Sequence, residues 1–501
     1  MSILILGYWL QILKGAAMKV IYNLQKAGIG FTIDRLLKYI DKDPQGNLVK
    51  LSRKIEPIFN KIFPPENFKR IKAVAENPNN VWNKFAMNII NDVDRDVIKQ
   101  MLLSFGVDAG LYGTKAVRKN REKYKCNIPF NILLDPTSAC NLRCKGCWAA
   151  EYGHQSNLTN EEMQSIVSQG KELGCHFYWL TGGEPLIRKK DVLELCRNNK
   201  DCIFLVFTNA TLVDEEFCKA MNECGNITLA LSLEGTEETN DWRRGEGVYQ
   251  KTLKAMELLK KNKCIFGVSV CYTRKNIETV TSDSFVDMLI DGGAKYSLYF
   301  NYMPVGVGAD VELIPTPDQR KAMYKWLRVM RNGETGKPIF VMDFQNDGEY
   351  VGGCIAGGRN YFHINSAGDI EPCVFVHFSD SNIKTHTLLE ALQSPLFMAY
   401  YKNQPFNDNH LRPCPMLENP EYLRKMIKET GAHSSDLMHQ ETADELCDKC
   451  VEYAKAWEPV AQELWETMPH KDTHTQYYRD TEDGKAEKGC SGNCACCNAH
   501  K

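Results

Sequence analysis

The chain has no apolar run long enough to cross a bilayer. The longest near its start, from Ser2 to Leu13, falls short of the ~20 residues a spanning helix needs, and no later stretch does better. That start is also a poor secretory signal, because MSILILGYWLQILKG has no basic residue before its apolar run and no convincing cleavage site. Excess charge of one sign is missing as well, with 61 Lys and Arg against 63 Asp and Glu. No recognisable RNA-binding module is present, so no nucleic-acid partner is expected. These absences set aside a membrane-spanning protein and a secreted disulfide scaffold. A reduced, cytoplasmic protein is expected, either free or peripheral on the inner face of the membrane.

What is present is a globular composition and a great deal of cysteine. The 501 residues are 43% hydrophobic and 10% aromatic, enough to bury a core. At ~100–200 residues per domain the chain allows two to four domains. The 20 cysteines cluster at short, metal-ligand-like spacings. Charge is uneven: residues 1–126 hold 22 Lys and Arg against 11 Asp and Glu, a net +11, leaving −13 on the remainder. A basic segment on an acidic body suits an anionic surface, and it also suits an ordinary solvated helical surface. Residues 1–30 read as an amphipathic or largely apolar helix, with Trp9, Leu10, Leu13, Ile21 and Leu24 among Lys14, Lys19 and Lys26. Such a helix lies in a membrane interface or packs on the next domain. Met18 offers an alternative start that omits the apolar run.

Residues 31–125 read as helices broken by Pro44, Pro64–Pro65 and Pro78, with the charged run KNREKYK (119–125) as a linker. From Asn131 the pattern changes. Apolar and β-branched runs at 131–135, 176–180, 202–207, 227–233, 264–272 and 296–305 alternate with helix candidates near 159–173, 188–198, 213–223, 248–262 and 277–291. Six such repeats predict an α/β fold with a parallel sheet and right-handed crossovers. Chemistry in these folds gathers at the strands' C-terminal ends, whether the sheet is open or closed. After about Thr316 the pattern turns irregular, with five spaced cysteines and a helical stretch at 452–467; the last ~30 residues are polar. Four segments are expected: a basic helical domain at 1–125, the core at 126–315, a cysteine-rich domain at 316–470 and a tail at 471–501.

The first strand runs into Cys140-Asn-Leu-Arg-Cys144-Lys-Gly-Cys147-Trp148. Three thiolates on one loop can wrap one metal cluster, and soft thiolates select iron–sulfur or zinc. Structural zinc wants four closed ligands, and no fourth cysteine lies nearby. Three ligands to a cubane leave one iron open to a small molecule. The second strand ends in Thr181-Gly182-Gly183-Glu184-Pro185-Leu186, where glycines permit close backbone approach and the carboxylate or the peptide carbonyls offer acceptors for an ammonium.

Together these residues resemble the radical S-adenosylmethionine (SAM) superfamily, over roughly 130–305. The resemblance implies a partial (β/α)6 TIM-like barrel and an oxygen-sensitive [4Fe–4S] cluster on Cys140, Cys144 and Cys147, whose open iron chelates SAM. Gly182, Gly183, Glu184 and Pro185 look like the segment that receives the SAM amino group. Thr208-Asn209 and Ser232-Leu-Glu234 are similar to segments that meet the ribose, although Glu234 stands where Asp is usual. Arg244-Gly245 resembles the pair whose arginine bonds the SAM carboxylate, a match suited to its fork geometry; alone, Arg244 reads equally as a surface ion pair. Gly146 departs from the pattern, since many members carry an aromatic before the third cysteine, and the residue beside the adenine stays unassigned.

Cys354-x13-Gly368-x4-Cys373 looks like the opening of a SPASM or Twitch auxiliary-cluster domain, without its denser central run of cysteines. With Cys414 and Cys447-Asp-Lys-Cys450 it supplies too few thiols for two cubanes and enough for one. The resemblance implies one auxiliary [4Fe–4S] cluster on Cys354, Cys373, Cys414 and either Cys447 or Cys450, with zinc at the CxxC as the rival. The remaining cysteines before the tail read as small hydrophobes. No catalytic side chain beyond the cluster is assigned. The expected reaction is reductive SAM cleavage and hydrogen abstraction, fed by a low-potential ferredoxin or flavodoxin. SPASM and Twitch relatives mostly modify peptides or proteins; the basic, apolar-tipped N-terminus points to a lipid or membrane-associated substrate. A non-catalytic iron–sulfur electron carrier is the rival of another class, and it needs no SAM pocket.

Overall fold

A parallel sheet whose strands are apolar on both faces must be covered on both, and that requirement organises this chain. The computed structural model describes residues 26–59, 65–153, 155–306 and 308–467. The apolar segment with Trp9, Leu10 and Leu13 and the tail with Cys490, Cys494, Cys496 and Cys497 lie outside the described residues. The six expected strands are β1 (Asn131–Thr137), β2 (Phe177–Gly182), β3 (Ile203–Thr208), β4 (Ile227–Ser232), β5 (Phe266–Tyr272) and β6 (Tyr296–Asn301). Each pairs in parallel with the next. Side chains alternate across the sheet: Ile132, Leu134, Tyr178, Phe204 and Val206 meet the outer helices. Leu133, Trp179, Leu205, Ala230 and Leu298 face inward.

The crossover helices run close to expectation. Asn160–Leu173 opens on a capping box formed by Thr159 and Glu162. The last expected helix is two, Ile277–Val280 and Asp283–Asp291, the second capped by Ser282. A helix at Glu237–Arg244 was not expected; its sequence EETNDWRR has no apolar stripe to show a helical period.

The helices of residues 31–125 are interrupted at the prolines as expected: Pro44 and Pro65 open Pro44–Phe59 and Pro65–Glu76, where a missing N–H costs nothing, and Pro78 lies in the turn before Val81–Asp92. Two further expectations are corrected. The run KNREKYK is helical, lying in Thr114–Tyr124 and ending on Lys125 at φ 55°; Arg121 in it donates to the Ile128 carbonyl at 2.7 Å, fastening it to the core. The sheet also continues past 315. A helix at Pro317–Asn332, with a capping box of Thr316 and Gln319, leads to β7 (Phe340–Asp343), parallel to β6. That strand is only four residues long, too short for a period-2 pattern to declare itself.

On the other edge β8 (His363–Ile364) pairs with β1 in parallel and β9 (Ile370–Glu371) with β8 antiparallel. The strand order is β7-β6-β5-β4-β3-β2-β1-β8-β9, an open, partial barrel. The C-terminal half packs on the inner face, joining Trp179 and Leu298 to Phe378, Leu396, Phe406, Leu423 and Trp457 in one core. Its final helix, Ala443–Thr467, starts well before the expected 452. No described helix is long and apolar enough to cross a membrane.

Arg320 and Glu418 form a buried ion pair within the inner core. Arg320 Nη1 lies 2.5 Å from Glu418 Oε1 with both side chains fully buried, and its guanidinium sits 4.2 Å over the Trp457 ring. Removing one partner strands the other charge in the core at a cost of about 3–5 kcal/mol. Arg320→Ala should therefore lose stability of that order in urea unfolding; a loss within ~0.5 kcal/mol, typical of surface sites, would show the pair to be hydrated.

Candidate active site

The strands' C-terminal ends open on a cavity of about 290 Å³ whose wall includes Cys140, Cys144 and Cys147. All three thiols are half-buried. Burial pushes the Cys140 thiol up to about 11 and raises that of Cys147, while Arg243 and Arg244 pull Cys147 the other way. The Leu142 N–H points at Cys140 Sγ at 3.5 Å, and Arg244 Nη1 stands 3.9 Å from Cys144 Sγ. Arg243 Nε is buried with no partner. Three convergent thiols beside two cations and an unused donor suit an anionic thiolate-held cluster.

Glycine sets how closely the next loop approaches. A Cβ on Gly182, which sits at φ 103°, would lie 2.6 Å from the Thr137 carbonyl, and one on Gly183 would collide with that of Ala139. Only bare backbone fits, and it bonds there: Gly183 N–H to Thr137 O at 2.9 Å and Glu184 N–H to Ala139 O at 2.8 Å. Gly182, Gly183 and Glu184 line the cavity, whereas Pro185 does not. The Glu184 carboxylate accepts from Thr208 Oγ1 (2.7 Å), Asn209 N (2.7 Å) and Leu186 N (2.9 Å). It therefore ties the β2 loop to β3, and its capacity for an ammonium is largely taken.

Thr208, Asn209 and Ser232 stand on the wall, together with Arg243 and Arg244. Glu234 does not; it is fully buried behind them. Its Oε1 accepts from Arg243 Nη1 at 2.7 Å and from Arg244 Nε and Nη2 at 2.9 and 2.5 Å, and its Oε2 from Cys271 N at 3.0 Å. Glu234 thus orients both arginines. Sequence reasoning singled out only Arg244, though the tandem RR was visible. It also read Cys271 as packing; that thiol is only half-buried and lines the cavity.

Gly146 has a structural reason. It sits at φ 63°, and a Cβ there would be 2.6 Å from Tyr302 Cε2. The Tyr302 ring, from just after β6, occupies the space beside the third cysteine. Trp148 turns toward the second cysteine set, edge-on to His363 (5.7 Å) and Phe375 (6.3 Å).

That set shares the cavity. Cys354, Cys373 and Cys414 line it, while Cys447 and Cys450 are fully buried in the final helix behind the wall. The Tyr361 hydroxyl is 2.8 Å from Cys373 Sγ, and the Met416 and Leu417 N–H groups reach Cys414 Sγ at 3.4 and 3.3 Å. Tyr400 lies among four thiols: burial, and then Cys354, Cys373, Cys414 and Cys447, push its phenol well above the ordinary range. Its hydroxyl is buried without a hydrogen-bond partner. Cys450 is engaged elsewhere, donating to Leu446 O at 3.7 Å. Gly368, at φ 95°, serves the turn between β8 and β9.

One polar cluster escaped the sequence. His363 lies between Asp135 (3.0 Å) and Glu371 (2.6 Å), all fully buried. Burial works against its charge, but the two carboxylates hold the imidazole at about 10. Tyr152 also donates to Glu371 at 2.7 Å. The only sign was an Asp at the end of the apolar run NILLD.

A family profile described as the radical SAM superfamily matches residues 134–286. The chain contains a radical SAM domain. Enzymes of this superfamily use a [4Fe–4S] cluster and SAM. The chain is 25% identical over 290 residues to the AdoMet-dependent heme synthase of Methanosarcina barkeri, covering 53% of this chain and 82% of that protein. It is 24% identical over 256 residues to the PqqA peptide cyclase of Bradyrhizobium diazoefficiens, covering 49% and 67%. Among solved structures, Streptococcus suis SuiB matches with a TM-score of 0.49 at 18% identity, over 57% of this chain and 71% of that one.

Two expectations follow for the radical SAM site. Replacing Cys140, Cys144 and Cys147 together by Ala should abolish 5′-deoxyadenosine formation under dithionite and halve the iron, from about eight to about four per chain if each cluster is a cubane; undiminished cleavage would refute the assignment. Losing a buried charge partner costs ~2–5 kcal/mol, so Arg244→Ala should weaken SAM binding at least ~30-fold in equilibrium dialysis, with Arg244→Lys a partial rescue. Unchanged affinity would reduce Arg244 to an ion-pair partner of Glu234.

Proposed function

We propose that this enzyme takes a hydrogen atom from an apolar, lipid or membrane-associated substrate bound between two iron–sulfur clusters. Cys140, Cys144 and Cys147 hold the SAM cluster; Cys354, Cys373, Cys414 and Cys447 hold one auxiliary [4Fe–4S] cluster. The observation that carries this reading is the shared cavity, walled by thiols of both sets and, between them, by Trp179, Phe207, Phe300, Phe344 and Tyr361. Phe300 and Phe344 stack at 4.3 Å. An electron carrier has no use for such a chamber. Trp179 Nε1 is buried there without a partner, a donor available to a polar point on an otherwise apolar molecule.

When bound, the cluster and SAM supply the electron and the carbon-centred radical that starts the reaction. The chain's own residues do the rest. Arg243 and Arg244, oriented by Glu234, present guanidinium donors to a carboxylate. The Gly182–Gly183 backbone admits the ligand closely beside the cysteine loop. Thr208, Asn209 and Ser232 offer hydroxyl and amide contacts to a sugar. The aromatic wall orients the substrate C–H bond and keeps water away. A ferredoxin or flavodoxin is the electron donor this reading requires.

A peptide substrate is the second reading, favoured by relatives named as peptide-modifying enzymes. The basic segment 1–126, net +11, favours an anionic membrane surface, each Lys or Arg there being worth about 1 kcal/mol. In co-sedimentation with phosphatidylglycerol liposomes, full-length protein should bind at low salt, release at high salt, and lose binding when the chain starts at Met18. Reduced enzyme given perdeuterated membrane lipid should place deuterium in 5′-deoxyadenosine. No sedimentation at low salt and no deuterium transfer would leave the peptide reading in front.

A further inference from the structure

The motif reading left eight cysteines outside both cluster sets and the tail, and one of them stands in a metal-like group far from the cavity. His176 immediately precedes β2, and Asp201 and Cys202 immediately precede β3. These strands are parallel neighbours with Phe177 opposite Ile203. Their register therefore sets His176 beside Cys202 at the sheet's N-terminal end, opposite the active-site cavity. One donor atom from each of the three residues lies within 4.8 Å of the other two. His176 Nδ1 is 4.0 Å from Cys202 Sγ and 3.9 Å from Asp201 Oδ2; Cys202 Sγ is 4.0 Å from Asp201 Oδ1. In a tetrahedral zinc site with bonds of ~2.0–2.3 Å the donors stand roughly 3.3–3.7 Å apart. With one oxygen of Asp201 as ligand, the triad contracts by a few tenths of an ångström between His176 and Asp201 and by up to about 1 Å at its widest pair.

We infer that His176, Asp201 and Cys202 form a divalent-metal site, selective for zinc, at the base of the barrel. One imidazole, one thiolate and one carboxylate make a borderline donor set that suits zinc better than magnesium or calcium. Water completes the fourth position, and the Asp201 side chain, about one third exposed, marks the way in. Binding is balanced by one proton: the Cys202 thiol releases H⁺ as the sulfur–metal bond forms. The imidazole gives up its 3.0 Å bond to the Asp201 carbonyl and carries its proton on Nε2. Lys171 does not block the site. Its Nζ bonds Asp201 Oδ1 at 3.0 Å and Asn199 Oδ1 at 2.9 Å, leaving Oδ2 for the metal and fixing the carboxylate as outer-shell partners do.

The position suggests what the ion does. The N-terminal helical stretch packs on this corner: a Cβ on Gly113 would lie 2.6 Å from the Gly174 carbonyl and 3.4 Å from His176 Cδ2. A metal here clamps the starts of β2 and β3 where the helical stretch sits, and it takes no part in the radical step.

The test uses full-length protein purified without oxygen, exposed to zinc and dialysed, with zinc and iron counted per chain by mass spectrometry. Wild type should hold about one zinc that Cys202→Ser and His176→Gln each lose while iron stays unchanged, and that Cys447→Ser and Cys450→Ser retain. Unchanged iron shows the variants to be folded. Cobalt added to zinc-free wild type should give a thiolate-to-cobalt absorption band that is absent in Cys202→Ser and shifted in His176→Gln. Chelator should lower the wild-type unfolding temperature and leave those two variants unmoved. Equal zinc in wild type and both variants, or a cobalt band indifferent to position 202, would overturn the site and leave a Lys171–Asp201 ion pair with a histidine beside it.

Discussion

A parallel sheet cannot leave either face to water, and here the two faces are covered by different parts of the chain. The crossover helices, local in sequence, cover the outside. The inside is filled from the far C-terminal half, whose Phe378, Leu396, Phe406 and Trp457 meet Trp179 and Leu298. Covering the inner face therefore brings Cys354, Cys373 and Cys414 to the same chamber as Cys140, Cys144 and Cys147. The opposed cysteine sets are a by-product of hydrophobic burial, and the aromatic wall between them is the part of that core left unfilled.

Within the chamber two buried carboxylates act as fasteners. Glu184 gathers the β3 loop through Thr208 and Asn209, and Glu234 gathers two arginines and the end of β5. Each spends its hydrogen-bonding capacity on the protein. That frees neighbouring backbone and guanidinium groups to face a ligand in a fixed direction, the kind of advance organisation that reactive sites need.

The six strands were legible because residues such as those of 202–207 and 227–233 are buried on both faces and form largely apolar runs. The cysteine triplet and the GGEP turn were legible because their chemistry is local. Glu237–Arg244 and β7 were not: one has no apolar stripe, the other no length. The pairing of Arg243 with Glu234, the Asp135–His363–Glu371 cluster and the four thiols around Tyr400 depend on contacts between distant segments, which no local pattern encodes. The proposed preference for Cys447 over Cys450 rests on contacts made within the final helix, where Cys447 is among the thiols acting on Tyr400 and Cys450 is bonded to Leu446.

The packing of Tyr302 against Gly146 has a consequence for how this protein can change over generations. The two positions lie on different strands' loops, 156 residues apart in the chain, yet they share one volume. Any lineage that acquires a side chain at 146 must first have lost the bulk at 302, since the reverse order passes through a collision beside the third cysteine. The two sites are thus mutationally ordered, and a comparison across descendants should find them trading size: glycine with a large ring, or a larger residue with a small one, and rarely both large.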